Sequence, residues 1–297
     1  MKLVSILMPV YNCAEHLAEA IESILNQTYS NFELIIINDS STDNSEQIIK
    51  SYDDRRIRYF ENSENKGIVA SLNSLLGKCK GNLIARMDGD DIAHAERIER
   101  QVQFFENNDD VGLISSWYVK EDSVNSRVKI IRKHTDDKHI KFHMMFRNQF
   151  LHPGIMMKAN LLRKLRYHDV STCEDYDLWA RALKHCRVAN VPVVLMKYRW
   201  HGKNVSLINN SAMRKSMAYI ISNLLTEYGI EHSEQELLLQ LMISLAFNKE
   251  QLTTLGKVDL MRSWLNKLTN SQSLNRRFGQ QFVDEEIRTY KKMYDFE

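Results

Sequence analysis

Apolar residues along the first 120 positions fall into two alternating patterns. Short unbroken runs have the length and composition of buried strands: "LVSILMPV" at 3–10, "FELIIIN" at 32–38, "IRYFEN" at 57–62, "NLIARM" at 82–87 and "VGLISSWYV" at 111–119. Between them lie segments with helical spacing. In "AEHLAEAIESILNQ", Leu17, Ile21, Ile24 and Leu25 recur at i, i+4, i+7 and i+8. "STDNSEQIIKSY" and "GIVASLNSLLGKC" read the same way, as does "HAERIERQVQFFENN" with Ile98, Val102 and Phe105 inward. This alternation predicts an α/β fold: an open, mainly parallel sheet with helices on both faces. Ligands of such sheets bind outside the carboxyl ends of the strands. "PVYN", "NDSSTD" and "DGDD" are therefore expected on one rim, because each begins where an apolar run stops.

From about residue 127 the rhythm loosens. "RVKIIRK" is followed by a helix near 136–146, then "HPGIMMK", a helix in "EDYDLWARALKH" that opens on two acids, and a strand in "VPVVLMKYRW". Beyond 208 Leu and Met recur at helical spacing through "ISNLLTEYG", "ELLLQLMISLAF" and "LMRSWLNKL". The expected division is 1–125, 126–207 and a helical region 208–297. Neither a repeat nor a flexible linker is visible, with 3 Pro and 10 Gly in the chain.

Composition narrows the class. At 297 residues, 43% apolar and 26% charged, the chain is long enough for a sizeable core and ordinary for a globular protein. No run approaches the roughly 18–20 apolar residues of a membrane span. Pro9 breaks the first apolar run where a signal peptide would continue, so that run reads as a first strand. Cys13, Cys79, Cys173 and Cys186 are scattered without a C-x-x-C pair, which favours reduced thiols and a cytoplasmic setting. The net charge of +2 hides an asymmetry. Residues 1–126 carry 12 Lys/Arg against 21 Asp/Glu, a net −9, and residues 127–168 carry 11 Lys/Arg against 2 Asp, a net +9. Such a segment suits phosphates, nucleic acid or an anionic membrane, or is simply a solvated basic face.

The chemistry concentrates in "ARMDGDD", which puts Asp88, Asp90 and Asp91 at a strand end. Like charges crowded there repel and require a cation or donors. There is no G-x-G-x-x-G after the first strand and no G-x-x-x-x-G-K-[ST], and Ile92 breaks an EF-hand pattern. What fits is Mn²⁺ or Mg²⁺ shared between carboxylates and the phosphates of a ligand. The alternative is a set of turn and helix-cap acids.

Five segments in order, "PVYN", "IINDSSTDNS", "NKGIVASLN", "ARMDGDD" and "CEDYDLWAR", resemble the inverting family 2 glycosyltransferases of GT-A fold. The resemblance covers roughly residues 3–205. It implies that Pro9, Val10, Tyr11 and Asp39 cradle a nucleotide, with Tyr11 against the base and Asp39 accepting the N3–H of uracil. Asp43 and Glu46 form a capping-box-like start for the next helix, which leaves Asp39 free for that role. The chain reads "NDSS" where the family commonly has "DDGS", so Asn38 and Ser40 depart from it. Lys66 and Gly67 belong to the same donor-binding set, as does Arg86, the two cations adding positive charge or being surface or ion-paired residues. Asp88 is implied on the ribose hydroxyls and Asp90 on the metal.

The same resemblance makes Asp175, with Glu174 beside it, the base that takes the acceptor proton. First-turn acids also serve the helix dipole. Trp179 is a core or a sugar-stacking residue. "YRWHGKN" resembles the family's late Y-R-x-H segment, which makes His201 a metal ligand or a structural histidine. The Q-x-x-R-W frame of processive synthases reads "MKYRW" here, with Met196 in place of Gln, which argues for adding a single sugar. The implied reaction is metal-dependent transfer from a UDP-sugar to a surface glycan, its acceptor a sugar on a lipid pyrophosphate. Arg163, Lys164 and Arg166 in "LLRKLRYH" are expected to face that acceptor, with peripheral membrane association. Nucleic acid is not expected, since no aromatic platform interleaves these charges. The alternatives are a haloacid-dehalogenase-type phosphatase, which also uses D-x-D after a strand, and an inactive sugar- or nucleotide-binding module.

Overall fold

The computed structural model describes residues 1–201 and 210–296. The chain begins β1 (Val4–Val10), α1 (Ala14–Leu25), β2 (Phe32–Asn38), α2 (Ser45–Lys50), β3 (Ile57–Glu61), α3 (Ile68–Leu76) and β4 (Leu83–Arg86). It continues through β5 (Ile92–Ala93), α4 (Arg97–Asn107), β6 (Val111–Asp122), β7 (Arg127–Ile131), α5 (Asp137–Met144), β8 (Met156–Lys158), α6 (Ala159–Leu165), α7 (Glu174–Ala182) and β9 (Arg187–Trp200). One sheet holds all nine strands in the order β3-β2-β1-β4-β8-β6-β9-β5, with β7 added to β6. The first four strands are parallel, as the alternation predicts. β8, β7 and β5 run antiparallel to their neighbours, so the sheet as a whole is mixed.

The unbroken apolar runs have a simple cause. β1 and β2 are buried over their whole length, and successive side chains point to opposite faces. Leu7, Ile35 and Ile37 join one core with α3, α5, α7 and the C-terminal helices. Val4, Ile6, Met8, Leu34 and Ile36 join the other, under α1 and α4.

Helices Asn210–Glu227, Glu234–Ser244, Lys249–Thr254, Val258–Thr269, Gln272–Phe278 and Gln280–Met293 follow. They pack on the sheet domain through α5. Tyr228 Oη donates to Lys141 O at 2.7 Å, Gln240 Nε2 to Met145 O at 2.8 Å, and His143 Nε2 lies 2.7 Å from Glu286 Oε2. No described helix is long and apolar enough to cross a membrane. The boundary expected at 207/208 and the segment after His201 lie outside the described residues.

Backbone bonds join the three strand ends on one rim. Asp39 N donates to Val10 O at 2.8 Å and Met87 N to Leu7 O at 2.9 Å. The loops after β1 and β2 are then laced together: Asn12 N donates to Ser41 Oγ at 3.0 Å and Thr42 N to Asn12 Oδ1 at 2.8 Å.

Candidate active site

β4 ends at Arg86, and the chain turns through Met87–Asp91 into β5. One carboxylate oxygen from each of Asp88, Asp90 and Asp91 lies within 4.8 Å of the others. Arg86, buried at 5% exposure, forms an ion pair with Asp88, so the crowded acids have a cation beside them. Burial pushes Asp88 up to about 6, with Arg86 opposing and Asp90 adding to the rise. Asp91 is fully buried. Its Oδ1 accepts from Arg199 N at 2.8 Å, and among the described residues its Oδ2 has no hydrogen-bond partner. Burial and the other two acids hold Asp91 well above the carboxylate range. His201 Nε2 lies 3.0 Å from Asp90 Oδ2. A buried, orphaned carboxylate oxygen beside two further acids and an imidazole suits a hard divalent cation, Mn²⁺ or Mg²⁺.

Two residues that the sequence reading passed over brace this turn from behind. Arg97 has no solvent exposure; its Nη2 donates to Arg86 O at 2.7 Å and to Ile155 O at 3.2 Å. Gln101, one helical turn on, accepts from Arg97 Nε at 3.3 Å and donates to Gly154 O at 2.8 Å. The available signal was a polar pair, i and i+4, directly beside the inward Ile98 and Val102. Burial lowers Arg97 to about 9.

The loop after β2 corrects one expectation. Asp39 is buried but not free. Its Oδ1 accepts from Asn62 Nδ2 at 2.6 Å and Lys66 N at 3.0 Å, and its Oδ2 from Gly67 N at 2.9 Å. It thereby fixes the loop that enters α3, where Gly67 has φ +81°. A carboxylate offers about four acceptor positions, so Oδ2 retains one. The capping box of Asp43 and Glu46 does not form. Asn44 is the N-cap of α2, and the Asp43 carboxylate instead accepts from Ser45 N and Ala14 N, tying α2 to α1.

Pro9 and Val10 are buried in β1, so what they offer a ligand is backbone. Tyr11, directly after β1, is 48% exposed, and the Lys66 side chain is exposed on the loop that enters α3. Ser40, the departure from "DDGS", has φ +59°, a left-handed conformation that favours glycine. Ser40→Gly should therefore raise stability by about 0.5–1 kcal/mol, the left-handed penalty less the entropy of a glycine in the unfolded chain. Urea unfolding checks this, and an unchanged midpoint would mean the loop carries no such strain.

α7 brings the second pair of acids to the same place. Asp175 Oδ2 accepts from Asn148 Nδ2 at 2.9 Å and Oδ1 from Tyr176 N at 2.6 Å. Burial raises Asp175 above its ordinary value. Burial and the adjacent Asp175 push Glu174 up to about 7. Arg86 N donates to Ile155 O at 3.2 Å, and His152, three residues before Ile155, lies 3.9 Å from Glu174, which puts the start of α7 beside the end of β4. His152, its Nδ1 3.9 Å from Glu174 Oε1, is held neutral by burial and by Arg86. Trp179 has no exposure and packs against Phe150 and the His152 ring, so it is a core residue.

Arg163 of the basic triplet does not join this site as expected. Arg163 Nη2 donates to Cys79 O at 2.8 Å, in the turn that enters β4, whereas the acids lie beyond the other end of that strand. α6 starts from β8, which runs antiparallel to β4, and this connection carries Arg163 to the amino end.

The glycosyl transferase family 2 pattern matches residues 5–166. The chain belongs to that family. It is 36% identical over 233 residues to the glycosyltransferase EpsE of Bacillus subtilis, covering 76% of this chain and 80% of that one. It is 30% identical over 207 residues to the UDP-Glc:alpha-D-GlcNAc-diphosphoundecaprenol beta-1,3-glucosyltransferase WfgD of Escherichia coli, covering 69% and 79%. Its fold matches TarS 1-349 of S. aureus, crystallised with UDP-GlcNAc, with TM-score 0.67 over 99% of this chain and 91% of that one at 17% identity. The protein is thus a glycosyltransferase of GT-A fold with added C-terminal helices, and the phosphatase alternative falls with this assignment.

Proposed function

We propose that this glycosyltransferase moves one sugar, with inversion and with a divalent cation, from a UDP-sugar to a sugar on a lipid pyrophosphate. The cytoplasmic face of the membrane is the place this chemistry implies. The observation that carries the reading is the approach of two acid sets: Asp88, Asp90 and Asp91 with His201 beside the buried Arg86, and Glu174 with Asp175 reached from Arg86 through Ile155 O and His152. WfgD, by its name, takes UDP-Glc to a diphosphoundecaprenol-linked sugar, and TarS was solved with UDP-GlcNAc; both support this choice of donor and acceptor.

In this reading residues 1–125 hold the donor and 126–207 the acceptor. Tyr11 lies against the base, and Asp39 spends its remaining Oδ2 position on the uracil N3–H, a donor that cytosine lacks. The backbone at Pro9 and Val10, the Lys66–Gly67 turn and Asp88 complete the nucleoside cradle. Asp90, Asp91 and His201 would hold the cation, which when bound offsets the charge that builds on departing UDP. Arg86 holds Asp88 in place. Asp175, oriented by Asn148 and the Tyr176 amide, takes the proton of the attacking hydroxyl on the face opposite the leaving group.

The test is UDP release from a panel of UDP-sugars, with a pyrophosphate-linked sugar acceptor, with and without chelator. Turnover of at least one UDP-sugar that stops on chelation is expected. Turnover confined to a GDP- or dTDP-sugar would overturn the donor assignment.

A further inference from the structure

The β6–β7 hairpin carries an apolar surface that the catalytic reading does not use. Residues 123–130 are all exposed, and among the described residues β7 pairs only with β6. Val124 is 61% exposed, Val128 70% and Ile130 44%. Along β7 Val128 and Ile130 alternate with Arg127 and Lys129, so they share one face and the cations take the other. The cross-strand register extends each face at one position and sets an acid across from it at another, Glu121 opposite Val128 and Asp122 opposite Arg127. Ile130 is opposite Val119, and Lys129 is opposite Lys120.

The two acids of the hairpin are already engaged. Glu121 pairs with Lys197 at 2.8 Å, and Asp122 accepts from Asn125 N at 3.0 Å and Asn125 Nδ2 at 2.9 Å. Two aromatic residues flank the ribbon under cations: the Lys120 Nζ sits 3.8 Å from the Trp200 ring centre, and Arg132 lies 5.5 Å from that of Trp117. An edge strand that only had to avoid pairing would be charged or short, without two outward β-branched residues on one face.

We infer that this hairpin is a membrane-docking element, which lays Val124, Val128 and Ile130 into the interface of an anionic bilayer. Its apolar face takes the acyl boundary, and Arg127, Lys129, Lys120 and Arg132 reach the headgroups. That is the division of labour of an interfacial amphipathic segment, with tryptophan at the polar boundary. The placement is useful to the site. Ser123 N donates to Trp200 O at 3.0 Å, and the next residue, His201, contacts Asp90. A hairpin seated on the bilayer thus holds the acid cluster close to a lipid-linked acceptor, and in this respect the inference rests on the acceptor proposed above.

Co-sedimentation with vesicles tests the surface without requiring turnover, so its failure and the failure of the proposed reaction are separable. Wild-type protein should bind vesicles of phosphatidylcholine with phosphatidylglycerol and not phosphatidylcholine alone. Arg127→Gln with Lys129→Gln should weaken binding roughly 25-fold, about five-fold per cation. Val128→Asp with Ile130→Asp should abolish it. Both variants should keep the wild-type thermal midpoint, since these side chains are exposed. Should the aspartate variant not fold, the glutamine variant decides. Wild-type protein absent from the anionic vesicles, or variants that bind as it does, would overturn the inference. So would a wild-type dimer in sedimentation velocity that the aspartate variant dissolves while vesicle binding persists, since the face would then be a self-association edge.

Discussion

Asp90→Ala should reduce sugar transfer by roughly 10³-fold or more and leave the fold intact. The size follows from the several kcal/mol that a bound divalent cation contributes at a developing negative charge. Stability should hold because the substitution relieves a crowd. Asp90 is one of the charges that raise Asp88 and Asp91, so weaker repulsion among the remaining acids offsets the absence of the 3.0 Å pairing with His201. Two measurements check it: UDP release with added Mn²⁺ or Mg²⁺, and the thermal midpoint. Turnover by the wild type at its full rate in excess EDTA would remove the cation from the reaction and His201 from its proposed role.

Asp175→Asn should lower kcat by roughly 10²–10⁴, the scale of losing a general base, while UDP-sugar binding stays close to wild type. Asparagine keeps the shape and one of the two accepted bonds, from Asn148 or from Tyr176 N; its NH2 cannot accept the other, and the proton-accepting charge is lost. The wild-type pH profile has a sign that follows from the geometry. A base works ionised, and burial raises both acids, Glu174 to about 7. The rate should thus climb with pH and level off near neutrality, above the range of an ordinary carboxylate, with the limb belonging to the pair. Glu174→Gln removes one charge from that pair and should shift the limb to lower pH with kcat at pH 8 largely kept. If instead Glu174→Gln is the variant that loses turnover and Asp175→Asn stays within a few-fold of wild type, the two exchange roles.

Much of the architecture was legible because local pattern and tertiary position agree. β1, β2 and β4 are buried on both faces, so their apolar runs are uninterrupted, and the acids Asp39 and Asp88 follow where two of those runs stop. β5 was not legible. Its two residues are a strand only because β9 lies antiparallel beside them, pairing Ile92 with Lys197 and Ala93 with Met196.

The linear chain by itself singled out the acids that the proposed reaction uses, because a D-x-D at a strand end and an E-D at a helix start are local facts. Tertiary structure decided who partners whom, because partners come from distant segments. Asp39 looked free in its own loop, yet Asn62, Lys66 and Gly67 fold back onto it. Arg97 is one more charge on an amphipathic helix, yet it is fully buried and donates to Arg86 O. Arg163 stood in a basic run beside the expected acceptor, yet an antiparallel β8 delivers it to the far end of β4. Spacing along the chain reports the face of an element. The sense in which a strand runs, and the segment that returns to cover it, depend on long-range packing that no short window contains.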